Sequence, residues 1–245
     1  MTELERHFEL EGAFNLRDLG GYATASGAHV RWRRLFRSDS LHRLTDDDLA
    51  AVGDLGITTV IDLRTGDEVQ RRGSYESVKS YRHMPLIDRL TSDDDMGTIY
   101  SDPERVTARY LEILELGRAQ MSEVLTLLVD ETVYPALFHC AAGRDRTGVV
   151  AATILGLVGV NDEDIVADYV LSEQAMTRML ERLRNDHPDA RAELDRVAPG
   201  LLSLFGEAMA GVLDAVRARY GSFEGYAETL GIPNAGLALR AVLVE

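Results

Sequence analysis

The stretch His139-Cys140-Ala141-Ala142-Gly143-Arg144-Asp145-Arg146-Thr147-Gly148 decides how this 245-residue sequence is read. An apolar run before it, Tyr134 to His139, reads as a buried strand, and an apolar run after it, Thr147 to about Leu157, reads as a helix. Cys140 and Arg146 thus stand in a strand-to-helix loop with five residues between them. Such a loop can curl round a tetrahedral anion, with its backbone N–H groups pointing inward and the following helix presenting its positive end. Gly143 permits a backbone conformation that a side chain would hinder. The Arg146 guanidinium can grip two oxygens of the anion.

The same field acts on the thiol. A free cysteine has a pKa of about 8.5, which helix N-termini and cationic neighbours lower to roughly 3.5–7.5. Cys140 is therefore expected as a thiolate beneath a phosphorus atom. Thr147 can donate its hydroxyl to the sulfur, and His139 can orient the loop through a ring N–H. The chemistry implied is phosphoryl transfer to sulfur followed by hydrolysis. Arginine fills about a tenth of the chain, so the Cys-to-Arg spacing alone is a weak motif. The whole string, with His before, Gly inside and Thr-Gly after, is specific.

Outward from this loop the elements alternate. Tyr22 to Thr24 and His29 to Phe36 read as short strands about a turn at Ser26-Gly27, Ile57 to Leu63 as a buried strand, and Lys79 to Ile87 as another ending near Pro85. Thr45 is a plausible N-cap with Asp46, Asp47 and Asp48 in the first turn of a helix to Gly53, and Gly66 to Arg72 forms a short helix. Helical spacing runs over Pro103 to Leu116, with Val106, Tyr110, Ile113 and Leu114 on one side. It recurs over about Ala119 to Val129, Asp162 to Asn185, Gly200 to Tyr220 and Phe223 to Leu230. The pattern predicts a three-layer α/β fold, a largely parallel sheet flanked by helices, with ligands at the carboxyl ends of the strands. No Pro/Gly/Ser-rich linker divides residues 1–245, which read as a single domain.

Composition removes whole classes of function. The chain carries 26 Lys+Arg against 41 Asp+Glu, a formal net charge of -15, and a single cysteine. One cysteine excludes a disulfide framework and a cysteine-rich zinc site, and the loop chemistry calls for no metal and no cofactor. The acidic balance disfavours nucleic acid and stable association with anionic membranes, whose like charge repels the chain. The segment Met1 to Gly12 has no apolar signal-peptide core, and the strongly apolar run Val149 to Val160 is shorter than the ~20 residues of a membrane span. A cytoplasmic location is the default. Arginine, at 25 residues, almost replaces lysine, which occurs once, as expected of a GC-rich bacterial genome.

The loop resembles the signature loop of the cysteine-based protein tyrosine phosphatase superfamily. In the form His-Cys-x-x-Gly-(Lys/Arg)-Asp-Arg-Thr-Gly it is similar to bacterial tyrosine and dual-specificity phosphatases of the mycobacterial phosphatase B type. Asn15-Leu16-Arg17-Asp18-Leu19-Gly20-Gly21-Tyr22, Leu35-Phe36-Arg37-Ser38, Val60-Ile61-Asp62-Leu63-Arg64 and Tyr226 to Gly231 resemble further motifs of that group. The resemblance implies Cys140 as nucleophile, Arg146 as phosphate clamp, and Ala141, Ala142, Gly143 and Arg144 as the cradle. The substrate implied is a phosphorylated protein, with a phosphoinositide as the alternative. It also implies that helices such as 103–129 cover the site as a lid, hinged at the acidic run Asp93-Asp94-Asp95 and Gly97. Members commonly carry Lys where Arg144 stands, and the two cations are not equivalent.

Cleavage of a phosphate ester benefits from a proton donor. The Trp-Pro-Asp loop of larger tyrosine phosphatases is absent, because the sole tryptophan, Trp32, precedes Arg33 and Arg34. Asp145, inside the loop, and Asp88, beyond the strand ending at Ile87, both qualify. Arg64 can touch substrate or brace the loop, Arg17 and Asp18 can pair with each other, and Arg31, Arg33, Arg34 and Arg37 read as a solvated strand face. A non-catalytic phosphate-binding module and a rhodanese-like sulfurtransferase are the competing classes; the Asp-Arg-Thr-Gly ending fits phosphate.

Overall fold

A computed structural model describes residues 6–88, 99–202 and 206–245. Within them lies one sheet of β1 Arg17–Asp18, β2 Leu35–Ser38, β3 Thr59–Asp62, β4 Ser80–His83 and β5 Ala136–His139. The strand order is β1-β2-β5-β3-β4, with β1 antiparallel and the other pairings parallel. β2, β3 and β5 are buried throughout, as parallel strands covered on both faces must be. Their alternate residues serve two cores. Phe36, Val60 and Leu137 face a smaller apolar cluster, while Leu35, Ile61, Ala136 and Phe138 face a larger one. β5 lies in the middle, and His139 is in register with Ser38 on one side and Asp62 on the other. Cys140 therefore leaves the sheet at the centre of its carboxyl edge.

The helices are α1 Asp46–Asp54, α2 Gly66–Arg72, α3 Pro103–Leu116, α4 Arg118–Leu128, α5 Asp145–Val158, α6 Asp162–Val170, α7 Ser172–Asp186, α8 Arg191–Leu202, α9 Gly206–Tyr220, α10 Phe223–Thr229 and α11 Ala235–Leu243. Thr45 and Asp48 close a capping box on α1, and Thr65 and Glu68 close one on α2. α5 is buried along nearly its whole length, packed among α3, α6, α10 and α11.

Several expectations are corrected. The run His29 to Phe36 is not one strand. Arg33 adopts φ 58° and gives its N–H to Asp18, which breaks the extended chain before β2. Between Tyr22 and Arg33 the chain forms isolated bridges, Ala23 with His29, Thr24 with Val160 and Val30 with Val244, about a turn where Gly27 has φ 82°. The helical stretch 162–185 is two helices separated at Leu171. The helix expected over Gly200 to Tyr220 appears as α9 from Gly206, while α8 before it and α11 after the helix at Phe223 were not expected. The acidic run 93–95 and Gly97 lie outside the described residues.

Candidate active site

The loop from Cys140 to Arg144 is fixed by its carbonyls. Cys140 O accepts from His139 Nδ1 at 3.2 Å, Ala141 O from the Ser40 N–H at 3.2 Å, Ala142 O from Asn15 Nδ2 at 3.1 Å, and Gly143 O from the Arg37 guanidinium at 2.7 Å. Each acceptor is thus drawn outward by a different part of the fold. Among the described residues no acceptor takes the N–H groups of Ala141, Ala142 or Gly143. Three neighbouring N–H groups left open in one turn beside the cavity suit an anion. Gly143 has φ +67°, and a Cβ there would stand 2.6 Å from Ser38 O and 2.7 Å from Asp39 N. Only glycine lets the loop pass β2 this closely.

α5 begins at Asp145, two residues earlier than the apolar pattern indicates, so Arg146 and Thr147 lie in its first turn. Arg146 is buried and forks onto Glu68, at 2.6 Å to Oε2 and 2.9 Å to Oε1. A guanidinium has five N–H donors, so this grip leaves three for a ligand. Burial alone would push the Glu68 carboxyl up, but the hydrogen bonds and charge of Arg146, with the bond from Thr65, bring it down to about 2. Glu68 was not foreseen as a site residue. Its sequence signal, Thr65-x-x-Glu68, reads as a helix cap, and the carboxylate performs both tasks.

Asp145 sits at the rim. Its Oδ1 accepts from the Tyr110 hydroxyl at 2.6 Å and from Arg144 Nε at 3.0 Å, and Tyr110 in turn meets the Tyr169 hydroxyl at 2.8 Å. Burial favours the neutral acid, but the Arg144 charge and the bonds from Tyr110, Arg144 and Tyr100 outweigh it and hold the carboxyl below its usual range. The Arg144 guanidinium lies 3.7 Å from the centre of the Tyr100 ring.

A further carboxyl, Asp39, lines the cavity and accepts the N–H groups of Phe14 and Asn15. Desolvation pushes it up to about 6 against those bonds. The cavity, about 560 Å³, has Cys140, Ala141, Ala142, Arg144, Asp145 and Arg146 as its floor. Phe14, Ile99, Ile113, Met176, Met179 and Leu180 give it an apolar wall, and His42, Arg43, Arg72 and Arg182 line it too.

Behind the loop, Arg37 is buried and pairs with Asp168, which also takes Arg17 Nε at 3.0 Å and the Tyr22 hydroxyl at 3.1 Å. Arg37 is therefore no solvated strand face. Arg17 and Asp18 do not pair with each other, since Asp18 caps the N–H groups of Gly20 and Arg33.

Three expected site residues are placed otherwise. Arg64 is buried away from the cavity and forks onto Asp62, with a third bond of 2.9 Å to Gly73 O, so it braces the turn into α2 rather than substrate. Asp88 is exposed and lines no part of the cavity; β4 itself stops at His83, although the Met84 and Leu86 N–H groups still bond to Asp62 O and Leu63 O. Thr147 Oγ1 is buried without a hydrogen-bond partner, the sulfur included; the early start of α5 carries it into the helix. His139 keeps its place, and burial lowers its pKa. Among the described residues no group of His, Cys, Asp and Glu could hold a metal ion.

The comparisons agree with this geometry. A profile described as the tyrosine phosphatase family matches residues 8–245. The chain is similar to the triple specificity protein phosphatase PtpB of Mycobacterium tuberculosis, at 32% identity over 96% of this chain and 98% of that one. It is similar to a tyrosine-protein phosphatase of Nostoc commune, at 31% identity over 80% of this chain and 69% of that one. A putative tyrosine-protein phosphatase of Cupriavidus necator is 30% identical over 86% of this chain and 79% of that one. With its anion loop, its clamped arginine and a match over nearly its full length, the chain belongs to the tyrosine phosphatase family.

Proposed function

We propose that this protein hydrolyses phosphotyrosine in phosphorylated protein substrates through a cysteinyl-phosphate intermediate on Cys140. The observation that carries this reading is the ring of unpartnered amides, Ala141 to Gly143, closed by the clamped Arg146. These donors face the three non-bridging oxygens of the ester. Cys140 Sγ attacks phosphorus, the bond to the phenolic oxygen breaks, and the charge gathering on the oxygens is met by donors already in place. Asp145 gives a proton to the leaving oxygen. It takes one back from the water that then attacks phosphorus and returns the electron pair of the P–S bond to sulfur. In the resting state the Asp145 carboxyl is held low. The dianion of an incoming phosphate opposes the Arg144 charge and favours its protonation.

The apolar wall of Met176, Met179, Leu180 and Ile113 suits an aromatic ring next to the phosphate. A phosphoinositide would need a free cation for its further phosphates. Arg144 is stacked on Tyr100 and tied to Asp145, so that role would fall to Arg72, Arg43 or Arg182, which also line the cavity. The described elements share one sheet, which supports reading the chain as one catalytic unit. Among the described residues no helix is long and apolar enough to cross a membrane.

The test is turnover of nitrophenyl phosphate, a phosphotyrosine peptide and a soluble inositol phosphate at one pH. Peptide turnover abolished by Cys140→Ser is expected. No turnover of any substrate by the unaltered protein would end the proposal, and preference for the inositol phosphate would transfer it to lipid headgroups. Asp145→Asn should slow a poor leaving group more than nitrophenolate.

A further inference from the structure

We propose that Tyr110 is a positioning residue: its hydroxyl, held on its far side by Tyr169, fixes the carboxyl of Asp145 at the rim of the phosphate loop and ties helix α3 to the group that exchanges the proton. The inference rests on the reading of Asp145 above, and it is built from three elements. Tyr110 stands on α3, Tyr169 on α6 and Asp145 at the start of α5. Tyr110 and Tyr169 are almost wholly buried, their rings meeting edge to face with centroids 5.9 Å apart. A phenol in such a place needs a partner for its O–H. Two phenols and one carboxylate form a chain with a single consistent direction. The acceptor-only carboxylate takes the Tyr110 proton at 2.6 Å, so the Tyr110 oxygen accepts from Tyr169 at 2.8 Å. The donated bond shortens and strengthens because its acceptor is charged.

The groups that face Asp145 can be named from each side. Arg144 comes from the loop, Tyr100 from the chain before α3, Tyr110 from α3, and Arg146 with Cys140 from across the loop; Tyr169 and, through it, Arg37 stand behind. Arg144 and Tyr100 hold the same carboxyl, yet neither binds it to a second helix. Tyr110 does, and its helix also lines the cavity through Arg109 and Ile113. Any displacement of α3 by substrate therefore reaches Asp145 through one hydrogen bond.

Tyr110→Phe keeps the ring and removes the donor. The carboxylate form loses a bond that the neutral form does not need, so the proton affinity of Asp145 rises. We expect the limb of the kcat–pH profile that belongs to Asp145 to move up by about one pH unit, a tenfold change in affinity. In the Asp145→Asn background the same change should move nothing. A carbon-13 carboxyl titration of Asp145, identified by its loss in Asp145→Asn, reads the same shift without turnover. It stays informative if the enzyme reading fails. Tyr169→Phe, which never touches Asp145, should shift the titration in the same direction by less. A folded Tyr110→Phe protein with the unaltered titration curve would overturn the proposal, as would an equal loss of kcat in both backgrounds. Should Tyr110→Phe not fold, Tyr169→Phe decides, since an unshifted curve there refutes the chain of bonds.

Discussion

Glu68 shows how one side chain can carry two functions that sequence reading separates. Its carboxylate closes the cap of α2 and aligns the guanidinium of Arg146. Glu68→Gln keeps the size and one acceptor oxygen but loses the charge that fixes the fork. A charge-assisted bond of this kind is worth about 1.5–3 kcal/mol. We expect kcat/KM on nitrophenyl phosphate to fall roughly tenfold to a hundredfold, by the same free energy scale. Vanadate affinity should weaken in parallel, because the anion meets a misaligned Arg146. An unchanged vanadate Kd would show that Arg146 aligns without help. The strand-loop-helix turn that holds Cys140, Gly143 and Arg146 was legible because a short local string needs nothing distant to be understood. Glu68 was not, since its partner lies 78 residues away. Arg64 failed for the opposite reason: its partner Asp62 is two residues off, and that local pairing outcompetes any reach toward substrate.

Among the elements, α3 and α4 part company. A lid over residues 103–129 would place both over the site. α3 does border the cavity, through Arg109 and Ile113. α4 does not: Met121, Val124, Leu125 and Leu128 are fully buried in the larger cluster, and no residue of α4 lines the cavity. Vanadate binding should therefore slow amide hydrogen exchange along α3, where Tyr110 meets Asp145, and leave α4 as it was. Equal slowing along both would restore the two-helix lid. The helices at 66–72 and 103–116 could be read to the residue, the first from its Thr65 cap and the Gly73 that ends it, the second from its initial proline and a clear apolar stripe. The break at Leu171 and the short α11 could not. The first has no Gly or Pro to announce it, and the second is short, with Arg240 as its one charged residue and an exposed Leu237 that blurs its polar side.

For the molecule as a whole, the -15 net charge conceals an interior in which buried arginines and aspartates nearly balance. Arg17, Arg37, Arg64 and Arg144 are among its largest fully buried side chains. Composition gives the sum of charges and not their radial distribution, so this arrangement was out of reach of the sequence. Asp168 balances two of those arginines and joins β1, β2 and α6. Burial opposes its ionisation, yet Arg17 and Arg37 outweigh burial and depress its pKa well below the usual carboxylate range. A depressed folded-state value contributes stability that is present above the unfolded pKa of about 3.9 and lost as pH falls toward the folded value. Asp168→Asn leaves two buried cations without their counter-charge, a loss of about 3–5 kcal/mol. Urea unfolding should show that deficit at pH 7 and a smaller one near pH 3. A deficit independent of pH would assign the loss to packing instead.

The outward pull on the loop carbonyls has a consequence for how the protein survives as well as for what it does. Asn15 and Arg37 reach Ala142 and Gly143 across 127 and 106 residues of chain. Only a segment that spans Asn15 to Gly143 and so carries all five strands holds both props, so the loop takes its shape once the sheet has assembled. An oxyanion therefore recognises the finished fold and ignores the unfolded chain. Such a ligand at a hundred times its dissociation constant stabilises the native state by about 2.7 kcal/mol. Phosphate, the product of each turnover, is therefore also a conformational guardian of the enzyme that releases it, and phosphate-starved conditions would remove that stabilisation.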